Sequence, residues 1–190
     1  MRKEYLFLFF SFLFLSCNDY TPKPKGYARI DRNKIEMKEF RYLDFSFLYP
    51  NDAKLEELEN GVKNEFWFNL SYPSYNAVVY CTYMSITPAQ LSNALEDSYQ
   101  LAYSHALKAE EIEQTVFTDS VRNKTGIIYE IKGMVAVPVQ FYVTDSKSHF
   151  LRGSLYFNEL VRPDSVAPIV SFLRSDIQEI MQSLEWNNLK

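Results

Sequence analysis

Two histidines, two cysteines and an arginine beside a mid-strand glycine are the residues of this chain best suited to chemistry. His149 follows Asp145 and Ser146, so the three residue types of a hydrolytic triad crowd into one short stretch. A working triad draws its members from separate elements, with the histidine between the other two. Asp145 and Ser146 are therefore read as turn formers whose side chains bond nearby backbone amides. His105 falls on the small-residue face of a predicted helix, three positions before Lys108, and reads as a half-buried histidine bonding a loop. Arg152-Gly153 is different. A glycine inside a strand weakens the sheet and marks a bulge or a close approach. Arg152 would share its face with Phe150, Ser154 and Tyr156. It either spans the surface to a carboxylate such as Asp145 or anchors a partner protein, since Arg and Tyr are enriched in binding hot spots. Phe150, Arg152 and Tyr156 are the candidate partner-binding residues. No glycine-rich phosphate loop, paired-carboxylate motif or Cys/His metal spacing is present. No catalytic residue, metal or cofactor is expected, and the absence favours binding or assembly over an enzyme.

Cys17 closes an apolar run. Arg2 and Lys3 form a short basic segment, residues 5–15 are apolar, and Ser16 precedes the cysteine. The run is too short for a permanent membrane helix but suits a signal peptide. A small residue before a Cys at this place resembles the bacterial lipobox, although Phe14 stands where leucine is usual. In that chemistry the thiol receives a diacylglycerol, the chain is cut before the Cys and the new amine is acylated. Several acyl chains hold a protein to a membrane where one is marginal. Cys81 then has no intramolecular partner and reads as a small buried hydrophobe. A net charge of −4 gives no general attraction to phosphate backbones, so nucleic acid is not an expected partner.

The elements that must position these residues are legible from periodicity. Residues 139–157 alternate on both sides of Asp145-Ser146-Lys147-Ser148 and predict a β-hairpin. Further strands are expected over residues 42–50, 65–72, 76–85, 113–119 and 126–137. Residues 53–60 read as one or two helical turns. Thr87-Pro88 opens a helix whose stripe of Leu91, Ala94, Leu95, Ser98, Ala102, His105, Ala106 and Ala109 is rich in small residues. A second helix, capped by Asp164 or Ser165, buries Val166, Ile169, Val170, Leu173, Ile177, Ile180, Met181 and Leu184. Domain organisation follows: residues 1–16 signal peptide, 17–39 lipid-anchored tether, 40–190 a single domain. Pro22-Lys23-Pro24-Lys25-Gly26 favours extended backbone, and the tether reaches roughly 75–80 Å at most. The expected fold is α+β, an antiparallel sheet of about six strands covered by two long amphipathic helices. Its layout is similar to the PsbP-type sandwich, a likeness that carries no function.

Several segments together resemble a family. They are Cys17 with Pro22–Tyr27 and Arg29-Ile30-Asp31, Tyr72-Pro73, and His105 with Lys108-Ala109. The run Gln140–Ser146 followed by His149–Gly153 and Leu155–Phe157 matches best, and Asp164-Ser165 and Pro168 continue it. This resembles the GldD-type gliding motility lipoproteins of Bacteroidota; Ser154 stands where alanine is expected. The resemblance implies a cell-envelope protein, lipid-anchored and facing the periplasm or the exterior from the outer membrane. It would be required for gliding and associated with type IX secretion, touching other proteins of that machinery without catalysis. The competing expectation is a periplasmic module holding a small ligand or glycan on its aromatic sheet.

Overall fold

The computed structural model describes residues 30, 35–59, 62–104, 106–158 and 163–187, with the backbone alone described at 163–165. Cys17 and His105 lie outside the described residues. The elements are β1 (Met37–Arg41), β2 (Phe45–Pro50), β3 (Lys54–Leu58), β4 (Glu65–Tyr72), β5 (Ala77–Ser85), α1 (Pro88–Tyr103), β6 (Ala109–Asp119), β7 (Lys124–Gly133), β8 (Val139–Thr144), β9 (His149–Phe157), α2 (Pro163–Ser183) and β10 (Glu185–Trp186).

The main sheet has seven strands in the order β3-β4-β5-β9-β8-β7-β6, and every neighbouring pair is antiparallel. A separate sheet of three strands runs β1-β2-β10. The expected antiparallel sandwich with two helices is present, but with a second small sheet and more strands than about six. Alternation decides which residues face which layer. One face of the large sheet carries Phe66, Phe68, Leu70, Val79, Cys81, Phe141, Val143, Leu151 and Leu155. It packs on Leu173, Ile177, Ile180 and Met181 of α2 and on Phe40, Phe45 and Phe47 of the small sheet. The opposite face packs Tyr129, Tyr142 and Phe150 under Ala94 and Ala102 of α1. Small side chains on α1 let the helix lie close to the strands, as its stripe predicts.

The predicted hairpin is β8–β9, with Val139 opposite Leu155 and Thr144 opposite Phe150. Four expectations change. Residues 53–60 hold strand β3, not helical turns. Their Glu, Leu and Lys favour helix locally, but Leu55 pairs with Leu70 on β4 and packs on the core, and that pairing wins. The charged Lys54, Glu56 and Glu57 then occupy a sheet edge, where charge discourages stray strand pairing. Helix α1 stops at Tyr103 and does not run through Ala109, because Ala109 opens β6 opposite Gly133. Helix α2 begins at Pro163, so Asp164 and Ser165 lie in its first turn, past the N-cap position. Strand β1 begins at Met37, inside the stretch read as tether, because Phe40 is buried among Phe45, Phe47, Phe66 and Phe68.

Candidate functional site

Pairing brings distant outward-facing residues of the large sheet into rows. Across β4, β5, β9 and β8 one row reads Trp67, Thr82, Arg152, Tyr142. The next reads Asn69, Tyr80, Ser154, Gln140, and reaches Tyr129 on β7. Helix α1 covers one end of this face. Beyond it Trp67 (37%), Tyr80 (45%) and Tyr156 (37%) remain exposed. The rings of Tyr80 and Tyr156 meet edge to face at 5.3 Å, a favoured aromatic geometry. Trp67 is steadied by its Nε1–H, which donates to Glu65 at 2.8 Å.

Of the predicted partner-binding residues, Arg152 and Tyr156 reach this surface, but Phe150 does not. Phe150 is fully buried, stacked on Tyr142 at 5.3 Å beneath α1. It supports the face from inside. Arg152 is half-buried and makes no hydrogen bond or ion pair with any described residue. Of the two readings of Arg152, the link to a carboxylate such as Asp145 is absent, and Asp145 is engaged in its own turn. Its Oδ1 accepts the backbone N–H groups of Lys147, Ser148 and His149, each at 2.9 Å, and Oδ2 accepts the Ser148 hydroxyl at 3.1 Å. Gly153 is explained by close approach: a Cβ there would sit 2.5 Å from the Phe141 ring and 3.2 Å from Cys81 Sγ.

Beside Arg152 a groove of about 420 Å³ runs between the sheet and α1. Ser98 and Leu101 of α1 form one wall; Tyr80, Thr82, Ser154 and Tyr156 form the other. Gln140 and Tyr129 close its inner end. Burial, helped by the neighbouring Tyr142, Tyr103 and Tyr99, pushes the Tyr129 phenol up to about 12, so it remains a hydroxyl at neutral pH. Trp67 and Tyr80 were not singled out in the sequence; strand alternation signals that they face outward, but only the register of β4, β5 and β9 puts them beside Arg152.

His149 and Cys81 serve structure. The ring of His149 shares a hydrogen bond of 2.8 Å with Tyr83 Oη through Nδ1 and stacks on Trp186 at 5.0 Å, so it is not held between Asp145 and Ser146. Burial pushes the Cys81 thiol well above its ordinary value, which keeps it an inert core group. Among the described residues no group of three His, Cys, Asp or Glu side chains could hold a metal.

Asp145 yields a pH prediction. Burial alone would raise its carboxyl, but the backbone N–H donors of His149, Lys147 and Ser148 outweigh burial and hold it below the ordinary value. A depressed folded value adds stability above the unfolded value and loses it as pH falls through the folded one. Amide protection at the β8–β9 turn will therefore fall as pH drops below about 4. Hydrogen exchange on Asp145→Asn should show no such step; a step of the same size in both proteins would assign it elsewhere.

Architecture and surface define a class: an antiparallel sandwich with helices on both faces and an exposed aromatic and arginine ledge. Among solved structures it is similar to cyanobacterial PsbP (CyanoP) from Synechocystis sp. PCC 6803, with a TM-score of 0.50 and 10% identity over 84% of this chain and 98% of that one. At that identity the likeness shows the fold. Comparison with curated proteins finds no match. The family model described as gliding motility lipoprotein GldD matches residues 17–186, and the chain belongs to that family. It is thus a gliding motility lipoprotein of the cell envelope.

Proposed function

We propose that the chain is moored through acylated Cys17, on the outer membrane, and serves gliding motility together with the type IX secretion machinery. It acts by touching other proteins and not by catalysis. The observation that supports this is the ledge of Trp67, Tyr80, Arg152 and Tyr156 on the part of the sheet that α1 leaves open. Large aromatic side chains and arginine dominate the energy of protein interfaces. The extended tether would let this ledge work away from the lipid surface.

The test is Arg152→Ala in the full-length chain, with gliding and secretion scored at matched protein abundance. Loss of a hot-spot arginine costs about 2 kcal/mol or more, roughly a thirtyfold fall in affinity, and gliding should fail. Normal gliding and secretion would reject the ledge. A second reading, a small ligand or glycan in the groove, is favoured by the groove's volume and its tyrosine walls.

A further inference from the structure

We propose that the groove beside α1 receives the side-chain carboxylate of an aspartate or glutamate on an extended segment of the partner protein, with Arg152 as the anchor. The inference rests on the ledge being a protein-binding face and names the chemistry that the face selects. Arg152 rises from the middle of the sheet, between Thr82 on β5 and Tyr142 on β8. The residue is half-buried, yet no described residue bonds to its guanidinium. Arginine presents a planar fork of donors that a carboxylate meets with two parallel hydrogen bonds. Among the described residues that fork is left open for a ligand.

The lining of the groove supports the same ligand. It contains no aspartate or glutamate, and Arg152 is its one cationic residue among the described residues. A single charge suits a monoanionic carboxylate better than a phosphate dianion, which draws on several cations. Thr82, Ser154 and Tyr80 add hydroxyls around the arginine. The Ser98 hydroxyl is already committed, donating to the Ala94 carbonyl at 2.9 Å, and one N–H of Gln140 Nε2 donates to the Leu101 carbonyl at 3.3 Å. Both shape the wall, and Arg152 supplies its charge. The rims are apolar. Tyr80 and Tyr156 stand on one side, and Leu101, 47% exposed, stands on the other. Such rims fit a segment in which the acidic residue adjoins an apolar one.

The test uses the full-length chain in detergent micelles with ¹⁵N-labelled arginine. The Arg152 Nε–H signal is assigned by its loss in Arg152→Lys. Three probes are titrated: the peptide acetyl-Gly-Glu-Leu-Gly-amide, its Gln counterpart, and free N-acetylglutamate. The Glu peptide should shift the Arg152 signal saturably, at least tenfold more tightly than the Gln peptide, and more tightly than N-acetylglutamate. Equal binding of the Glu and Gln peptides, or no shift with either, would overturn the carboxylate. Equal binding of N-acetylglutamate and the Glu peptide would make the ligand a small solute and overturn the partner segment. If Arg152→Ala stops gliding while the peptides fail, the ledge stands and this inference falls. If gliding is normal, the ledge itself falls.

Discussion

Replacing Lys124 by methionine will lower the melting temperature of the domain by about 6–12 °C, the equivalent of ~3 kcal/mol for a chain of this size. The side chain of Lys124 is fully buried at the start of β7. Its ammonium donates to the carbonyls of Met181, Gln182 and Leu184 at 3.0, 2.9 and 2.7 Å. These carbonyls belong to the end of α2 and the residue that follows it, where a helix has no further N–H groups to offer. A lysine from another element thus closes the helix and places positive charge at the negative end of its dipole. Burial depresses the lysine's pKa, and Asp119 at 3.8 Å opposes that loss of charge. Methionine matches the stem but donates nothing, so three carbonyls, those of Met181 and Leu184 in buried bonds, lose a partner. Thermal melts followed by circular dichroism check this, with the exposed Lys147→Ala as control. A Lys124→Met melting point within 2 °C of wild type would show that water replaces the ammonium at no cost.

Gly126→Ala will destabilise the fold by about 3 kcal/mol or more. A Cβ on Gly126 would lie 2.0 Å from the Tyr142 carbonyl oxygen and 3.1 Å from the Val143 Cα, both backbone atoms of β8. Relief requires separating β7 from β8 at the Gly126–Val143 pair. Gly153 makes a useful comparison. Its added Cβ would strike the far end of the Phe141 ring at 2.5 and 2.7 Å, and a ring can swing where a ladder cannot. Denaturant midpoints should therefore rank Gly126→Ala below Gly153→Ala, and the reverse order would defeat the argument.

The hairpin and α2 were legible because their periods are long and clean, and each buries one face. Strand β3 was not, because Lys54–Leu58 carries helix-favouring residues and becomes a strand only by pairing with β4. Strand β10 is invisible in the sequence, since Glu185-Trp186 is too short to show a period and is defined by Ser46 and Phe45 across the ladder. Alternation on β9 aims Arg152 and Tyr156 outward, and the structure places both on the open face. The same rule misplaced Phe150, since periodicity tells which side a residue faces but not whether a helix will cover it. Nothing local in the sequence marks Lys124; its acceptors lie 57–60 residues away, beyond the reach of any local pattern. The supposed link from Arg152 to Asp145 failed because a turn aspartate satisfies itself from neighbouring amides first.

Strand β1 has a mechanical consequence. Were the segment before β1 to act as the tether proposed above, traction would reach a five-residue strand that pairs, among the described residues, with β2 alone and has Phe40 as its one buried side chain. Such a strand yields sooner than the interior of a seven-stranded sheet. It would behave as a fuse, peeling under load and rewinding afterwards while the ledge on the large sheet keeps its shape. Single-molecule pulling from the N-terminal side should show a small, reversible first extension before the main rupture; a single rupture with no such step would mean that β1 and the large sheet bear the load together.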